Sequence, residues 1–412
     1  MKPLDVELER VRAEGDDEQP PAKPGGLALC LSGGGYRAAL FHLGALLRLH
    51  QTGLLHEAEL ISAVSGGSIL SGWLATRYLA TRQSAAESFD QWCGRINFTA
   101  VVVESFRTFV SRDIRTWPVL RTLPYNWLWP SHRVRLLERA YAKQFGSVAI
   151  PDLPDRPAFV FCATDLTFGV NWIFSKRRVG DYMAGYLRQP GRIPLSEAVA
   201  ASSSFPPVFG PVRFDRPGGF SRGKYSGRDA DRLRSHIDLS DGGVYDNLAM
   251  EPSLRNYSTV LISDAGAPFG FQTRRWYFRR LLRYTEVIGN QARSLRKRIY
   301  YTFRSHGGFD GTLWGLTGPF VPKPSGYAPD LVEDTIGRIR TDLDRFLEAE
   351  FDILVNHGYF TCNDALVAKG LVPASAPAAV WPFPKLAGPA AVRRALRGSD
   401  ARIFHGRWFS RR

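Results

Sequence analysis

Three short turns hold the residues best suited to chemistry. In Ala63-Val64-Ser65-Gly66-Gly67 a serine is flanked by small residues, as a sharp strand-to-helix turn requires if its hydroxyl is to project as a nucleophile. In Ser32-Gly33-Gly34-Gly35-Tyr36-Arg37 consecutive glycines leave backbone N–H groups open to an incoming oxyanion, because no side chain blocks the approach. In Asp241-Gly242-Gly243 a carboxylate sits in a turn bare enough to come close to another backbone turn, which suits a general base. Nucleophile, oxyanion donors and base together describe acyl transfer. Each also has a plainer reading: Ser65 as a small residue in a tight turn, Asp241 as an ordinary Asp-Gly turn.

The glycine-rich turn admits two other readings. A phosphate-binding P-loop needs Gly-Lys-Ser/Thr after its glycines, and that is absent. Gly33-x-Gly35-x-x-Ala38 matches a loose dinucleotide fingerprint, so a dinucleotide-binding oxidoreductase is one alternative function. Such a unit needs an acid at the end of its second strand to hold the ribose hydroxyls, whereas this second strand ends at Ser65. For the serine's base, His306 and His357 are also available, but neither stands at a recognisable strand end, and Asp241 is the better candidate.

These turns need rigid elements behind them. The apolar runs Leu27 to Leu31 and Leu60 to Val64 read as buried parallel strands, with Ala38 to His50 as the crossover helix, which puts both turns in one βαβ unit. Residues 81–145 are rich in Trp and Arg, with Trp117, Tyr125, Trp127 and Trp129 punctuated by Pro118, Pro124 and Pro130, and read as an irregular insertion. Ala158 to Thr164 is a further strand ending at Asp165, with Ile173 to Ser175 a shorter one beside it. Ser196 to Ser203 is helical, and residues 214–235 form a polar loop. His236 to Leu239 leads into the Asp241 turn, and Thr259 to Ser263 is a strand ending at Asp264.

The C-terminal part turns helical. From Arg274 to Arg298 there are nine Lys or Arg and one acid, with Tyr277, Leu281, Tyr284 and Ile288 on one face of an amphipathic helix. A second helix over Thr341 to His357 buries Leu343, Phe346 and Leu354 and takes Gly358 as its left-handed cap. The fold class is therefore α/β with a mainly parallel sheet.

Composition narrows the partners. The formal charge is +15, which favours an anionic partner, either nucleic acid or an acidic membrane surface. A basic nucleic-acid-binding module is thus a second alternative function. The hydrophobic content of 44% supports a substantial core. Cys30, Cys93, Cys162 and Cys362 are far apart and form no CxxC pair, so neither a disulfide nor a zinc site is expected, and no metal or cofactor is called for. Residues 1–25 carry seven acids and four bases with several prolines and no apolar core of a signal peptide, so they read as a disordered leader. With no run long enough to span a bilayer, a cytoplasmic protein is expected.

The ordered set Gly33-Gly34-Gly35-x-Arg37, x-x-Ser65-x-Gly67 and Asp241-Gly242-Gly243 resembles the patatin-like phospholipase family. Ala163-Thr164-Asp165-Leu166 and Ala200 to Pro206 are also similar to that family's core, so the resemblance covers about residues 26–270. Ala38 and Ala63 depart from glycines common in the family and are the smallest available replacements. The resemblance implies a three-layer α/β/α fold; with the composition it sets the expected domain at 26–370, with the 81–145 insertion and a helical 271–370 part, followed by a basic Ala/Pro-rich tail over 371–412. It also implies a Ser65–Asp241 dyad without catalytic histidine, metal or cofactor, with Gly33, Gly34 and Gly35 as the oxyanion hole and Gly67, Gly242 and Gly243 shaping the turns. The expected substrate is a phospholipid, reached at the inner membrane face, where Arg275, Arg279, Arg280 and Arg283 would meet anionic headgroups. No nucleic acid is expected on this reading. Arg37 has two roles open: holding the glycine loop, or meeting a lipid phosphate bidentately.

Overall fold

Every residue of Leu27–Leu31 (β1) is buried, as the middle of a parallel sheet covered on both faces demands. The helix Gly35–Gln51 (α1) crosses to Ala58–Val64 (β2), which leads into Gly66–Thr81 (α2). These and the following elements belong to a computed structural model that describes residues 25–114 and 131–399, apart from 207–208, 216–218, 222, 255, 268, 270–276 and 320; for 131–133, 277–279 and 281–282 only the backbone is described.

Residues 81–145 differ from the irregular insertion expected. They supply Phe89–Arg95 (α3), a π-helical turn at Thr99–Glu104, Ser105–Val110 (α4) and Ser131–Phe145 (α5). Buried Trp92, Phe106, Phe109 and Phe145 explain the difference: short helices on either side of residues 115–130 place these aromatics in the core. Trp117, Tyr125, Trp127, Trp129 and the prolines between them lie outside the described residues.

The chain continues through Ala158–Asp165 (β3), Val170–Phe174 (β4), Val179–Asp181 (β5), Gly185–Tyr186 (β6), Leu195–Ser202 (α6), Val212–Phe214 (β7), Ala230–Arg234 (α7), Ile237–Asp241 (β8) and Gly243–Asp246 (α8). Thr259–Asp264 (β9), Tyr277–Ser305 (α9), Leu313–Gly315 (β10), Pro329–Asp334 (α10), Glu348–Val367 (α11) and Pro389–Ala395 (α12) complete it.

The sheet runs β10-β9-β1-β2-β3-β4-β5-β6. β10, β9, β1, β2 and β3 are parallel, and β4 to β6 continue antiparallel. One register detail sets the site. β2 occupies an edge of β3 as far as the pair Val64–Cys162, and β8 then takes over the same edge antiparallel from the pair Ala163–Asp241. The end of β2 and the end of β8 therefore meet.

Helices cover both faces, giving three α/β/α layers. One face carries α1, α2, α6 and α11 on Leu29, Leu31, Ile61, Phe161 and Leu261. The other packs Leu248, Met250, Leu254 and Tyr300 of α9 on Ala28, Cys30, Val64, Val160 and Ile262. Gly358 is not a cap: it lies inside α11, where a Cβ would collide with the Phe41 carbonyl, just as a Cβ on Gly44 would collide with that of Val355. The two glycines let α1 and α11 cross backbone to backbone. Residues 371–399 also pack on this layer, with Trp381 against Phe360 and Tyr327, and Asn356 hydrogen-bonded to both backbone groups of Phe383. Among the described residues no helix is long and apolar enough to cross a membrane.

Candidate active site

Ser65 stands between β2 and α2 with φ 53° and ψ −116°. A positive φ at a non-glycine residue is strained and persists only when the surroundings enforce it. Glycines on its C-terminal side provide the room. A Cβ on Gly66 would strike the Gly35 carbonyl, and one on Gly67 would strike that of Leu31. Hydrogen bonds supply the enforcement: the Ser65 N–H donates to the carbonyl and to the Oγ of Ser202, at 3.2 and 3.1 Å, and the Gly67 N–H donates to the Ser32 carbonyl at 3.1 Å. Ser65 is buried but keeps 8% of its surface exposed.

Asp241, the last residue of β8, is almost wholly buried. Its Oδ1 accepts the Gly243 N–H at 2.7 Å, whereas its Oδ2 has no hydrogen-bond partner. Burial pushes the carboxyl up to about 6, against the opposing pull of the Gly243 N–H and the Ser65 hydroxyl. The hydroxyl thus stands close enough to stabilise the charged carboxylate, without a fully aligned hydrogen bond to it. Such looseness is common before substrate tightens a nucleophile–base pair. Gly242 and Gly243 allow this approach, since a Cβ on Gly242 would meet the Cys162 carbonyl and one on Gly243 would lie 2.9 Å from the Asp241 Oδ1.

The glycine loop lies at the end of β1, beside Ser65. The Gly33 N–H is already donated to the Asn247 carbonyl at 3.1 Å, so Gly33 is removed from the expected oxyanion donors. The Gly34 and Gly35 N–H groups meet no acceptor among the described residues. Their φ values of 139° and 60° are ones glycine adopts freely. Around them the loop is clamped: the Tyr36 N–H donates to the Asp342 carbonyl at 2.9 Å, and the Ser32 Oγ accepts the Ala265 N–H at 2.7 Å.

Arg37 is one of the clamps. It is buried and donates to the Ile339 carbonyl at 3.0 Å and the Ala265 carbonyl at 3.2 Å. A guanidinium enclosed in this way cannot reach a lipid phosphate, which corrects that alternative. Below the loop, His42 hydrogen-bonds the Ser263 Oγ at 2.7 Å and the Ser32 carbonyl at 2.9 Å, and burial pulls it down to about 4, so it stays neutral.

Neither downstream histidine joins the site. His306 is bound to the Thr302 carbonyl of its own helix at 2.8 Å, and His357 faces the Leu316 carbonyl at 2.7 Å. The residue sequence reasoning missed is Ser202. Its carbonyl accepts the N–H groups of both Ser65 and Gly242, and its Oγ joins Ser68 at 2.8 Å and donates to the Cys162 carbonyl at 2.6 Å. Through its carbonyl and its hydroxyl together, this one residue ties the serine turn, the acid turn and β3. Only its place beside a small-residue helix end hinted at this.

Residues 29–254, more than half of the chain, match the family profile of patatin-like phospholipases. The chain belongs to the patatin-like phospholipase family. As a patatin-like phospholipase it is a lipid acyl hydrolase acting on ester bonds. Solved structures are similar only at low identity. Human GIVD cytosolic phospholipase A2 in complex with methyl gamma-linolenyl fluorophosphonate and terbium chloride is 12% identical, with 96% of this chain and 65% of that chain covered and a TM-score of 0.47. A second structure of the human protein gives 11% identity, 96% and 67% coverage and a TM-score of 0.45. VipD from Legionella pneumophila gives 13%, 85%, 68% and 0.35. The patatin-like phospholipase thus spans about two thirds of each of those chains. No curated protein matches its sequence significantly.

Proposed function

We propose that this patatin-like phospholipase cleaves membrane phospholipid esters by a Ser65–Asp241 dyad through an acyl-enzyme. The observation that carries the reading is the buried Asp241 Oδ2, left without a partner beside the hydroxyl of a serine held in a strained turn. Asp241 Oδ2 takes the Ser65 proton as Oγ attacks the ester carbonyl carbon, and the Gly34 and Gly35 N–H groups receive the developing oxyanion. The oxyanion collapses, the ester C–O bond breaks, and the alcohol leaves with the proton from Asp241. Water then gives its proton to Asp241 and attacks the acyl-serine; as the acyl–Oγ bond breaks, Asp241 returns that proton to Ser65 Oγ and the fatty acid leaves. No histidine, metal or cofactor enters a step.

The reading extends to an anionic membrane surface, and α9 supports it in altered form. Three of the expected basic residues are engaged internally: Arg293 and Lys297 on Asp264 at 2.8 and 2.6 Å, and Arg296 near Glu251 at 3.6 Å. They dock the helix behind the glycine loop. Arg283 pairs with Glu286, Arg275 lies outside the described residues, and the Arg279 side chain is not described. The apolar face is the better support. Among the described residues nothing covers Tyr284 or Ile288, 60% and 68% exposed, and Leu295 continues their line with Arg280 and Arg298 exposed alongside. Apolar side chains flanked by cations suit a headgroup interface.

Mass spectrometry of products from a defined phospholipid mixture tests the function. The parent should release free fatty acid and lysolipid, and folded Ser65→Ala should release neither. Equal release by both would remove the dyad.

A further inference from the structure

Far from Ser65, the fold gathers three metal-ligating side chains. His50 stands in the last turn of α1, His56 in the connection to β2, and Cys93 on α3. One ring nitrogen of each histidine and the Cys93 Sγ all lie within 4.8 Å of one another, and His50 Nδ1 and His56 Nε2 face each other at 3.2 Å. Tetrahedral zinc, with bonds of about 2.0–2.1 Å to nitrogen and 2.3 Å to sulfur, separates its ligand atoms by about 3.3–3.6 Å. The spacing therefore falls within a small rotamer adjustment of a zinc site.

We infer that His50, His56 and Cys93 bind one zinc ion, with solvent in the fourth position. A thiolate with two imidazoles is a donor set that favours Zn²⁺ over the hard cations Mg²⁺ and Ca²⁺. The surroundings are those a metal site requires. The other His56 ring nitrogen, Nδ1, has the exposed Asp90 carboxylate 3.7 Å away, just beyond hydrogen-bond distance and near enough to close into the carboxylate–histidine pair that orients a zinc ligand. His50 is stacked on Phe98 with ring centroids 4.6 Å apart. Cys93 is held by a well-fixed helix: Ser88 and Gln91 close a capping box at its start, and the Trp92 Nε1–H donates to the Thr81 hydroxyl at 2.9 Å. Cys93 is buried while the two histidines are partly exposed, which leaves an entry path from solvent.

Binding forms one Zn–S and two Zn–N bonds and releases the Cys93 thiol proton to solvent. The site lies at the N-terminal end of β2, whereas Ser65 follows its C-terminal end, roughly 20 Å along the strand. Zinc there ties the α1–β2 connection to the helical segment that begins at α3. It takes no part in ester cleavage, so the inference stands or falls separately from the dyad.

The test uses the untagged full-length protein, stripped with a chelator and titrated with Zn²⁺ against a chromogenic competitor. One Zn²⁺ per chain is expected, with a rise in melting temperature. His56→Gln and Cys93→Ser should lose this binding, and Asp90→Asn should weaken it by about 10- to 100-fold. Co²⁺ in place of zinc should give a thiolate-to-cobalt charge-transfer band and the intense visible bands of a tetrahedral site. Absence of stoichiometric zinc in the parent, a cobalt spectrum lacking the thiolate band, or parent-like binding by His56→Gln would overturn the inference. If Cys93→Ser fails to fold, His56→Gln and the parent's cobalt spectrum decide.

Discussion

Ser65 and Asp241 meet because β2 and β8 share one edge of β3 end to end: Val64 pairs with Cys162, and Asp241 pairs with the next residue, Ala163. A parallel strand running up to that point and an antiparallel strand arriving at it deliver a strand-end turn from each side. The Ser202 carbonyl then accepts an N–H from both turns, which locks the distance between them.

The base should impose an acid limit. Asp241 acts only when ionised, and burial raises it to about 6, so kcat/KM for a soluble ester should fall tenfold per pH unit below about 6 and level off above it. The same shift carries a stability effect of defined sign. The stabilisation from a carboxyl raised on folding is complete below its unfolded value of 3.8 and is lost as pH rises through about 6. Asp241→Asn should therefore be inactive, yet more stable than the parent at pH 8 by at most about 3 kcal/mol, with the advantage gone near pH 4. Denaturant melts at the two pH values check this; a less stable variant at pH 8 contradicts it.

Gly34→Ala tests the oxyanion loop. The added methyl group would stand 3.0 Å from the Ala265 carbonyl and 3.1 Å from the Ala38 Cβ, at a φ of 139° that alanine adopts only under strain. Turnover should fall on the order of 10² to 10³, as for a lost oxyanion donor, while circular dichroism stays that of the parent. Near-normal turnover would move the oxyanion elsewhere.

Ser202 is a positioning residue, and kinetics should say so. Ser202→Ala removes the hydroxyl that bridges Ser65, Ser68 and Cys162. We expect kcat to drop about 10- to 100-fold with KM little changed, and stability to fall by about 1–3 kcal/mol because the Cys162 carbonyl loses its partner. A variant that loses stability but keeps kcat would leave Ser202 a structural residue only.

Vesicle binding should depend on the open face of α9. Tyr284→Glu with Ile288→Glu should abolish cosedimentation with anionic vesicles, and Arg280→Glu with Arg298→Glu should weaken it, each cation contributing about 1 kcal/mol. Added salt should weaken binding further, since the attraction is screened beyond about 8–10 Å. Hydrolysis of a short soluble ester should survive all four substitutions. Unchanged vesicle binding would return this helix face to solvent.

The local parts of the site were legible in the sequence because they depend on local signals. Apolar runs ending in Gly-rich turns announce strand ends, and β1, β2, β3, β8 and β9 all appear where those runs lie. Arg37 was only half legible: its type suggests both a brace and a phosphate ligand, and burial decides between them. Gly33 matched the motif, but its N–H is committed to Asn247, far along the chain. Gly358 looked like a cap because a glycine near the end of an apolar period usually is one, and only the crossing with Gly44 reveals its packing role. Ser202 and the His50–His56–Cys93 cluster were hidden for a common reason. Ser202 meets partners more than a hundred residues upstream in Ser65 and Ser68, and Cys93 reaches the His50–His56 pair from a separate helix; no periodicity encodes either meeting.

On this mechanism Ser65 is the nucleophile and Asp241 its base. Both roles are decided by incubating the parent, Ser65→Ala and Asp241→Asn with a fluorophosphonate and mapping the adduct by peptide mass spectrometry. One phosphonyl group is expected on Ser65 in the parent, none in Ser65→Ala, and strongly slowed labelling in Asp241→Asn. A stable adduct on any other residue, or labelling of Asp241→Asn at the parent's rate, would contradict this mechanism.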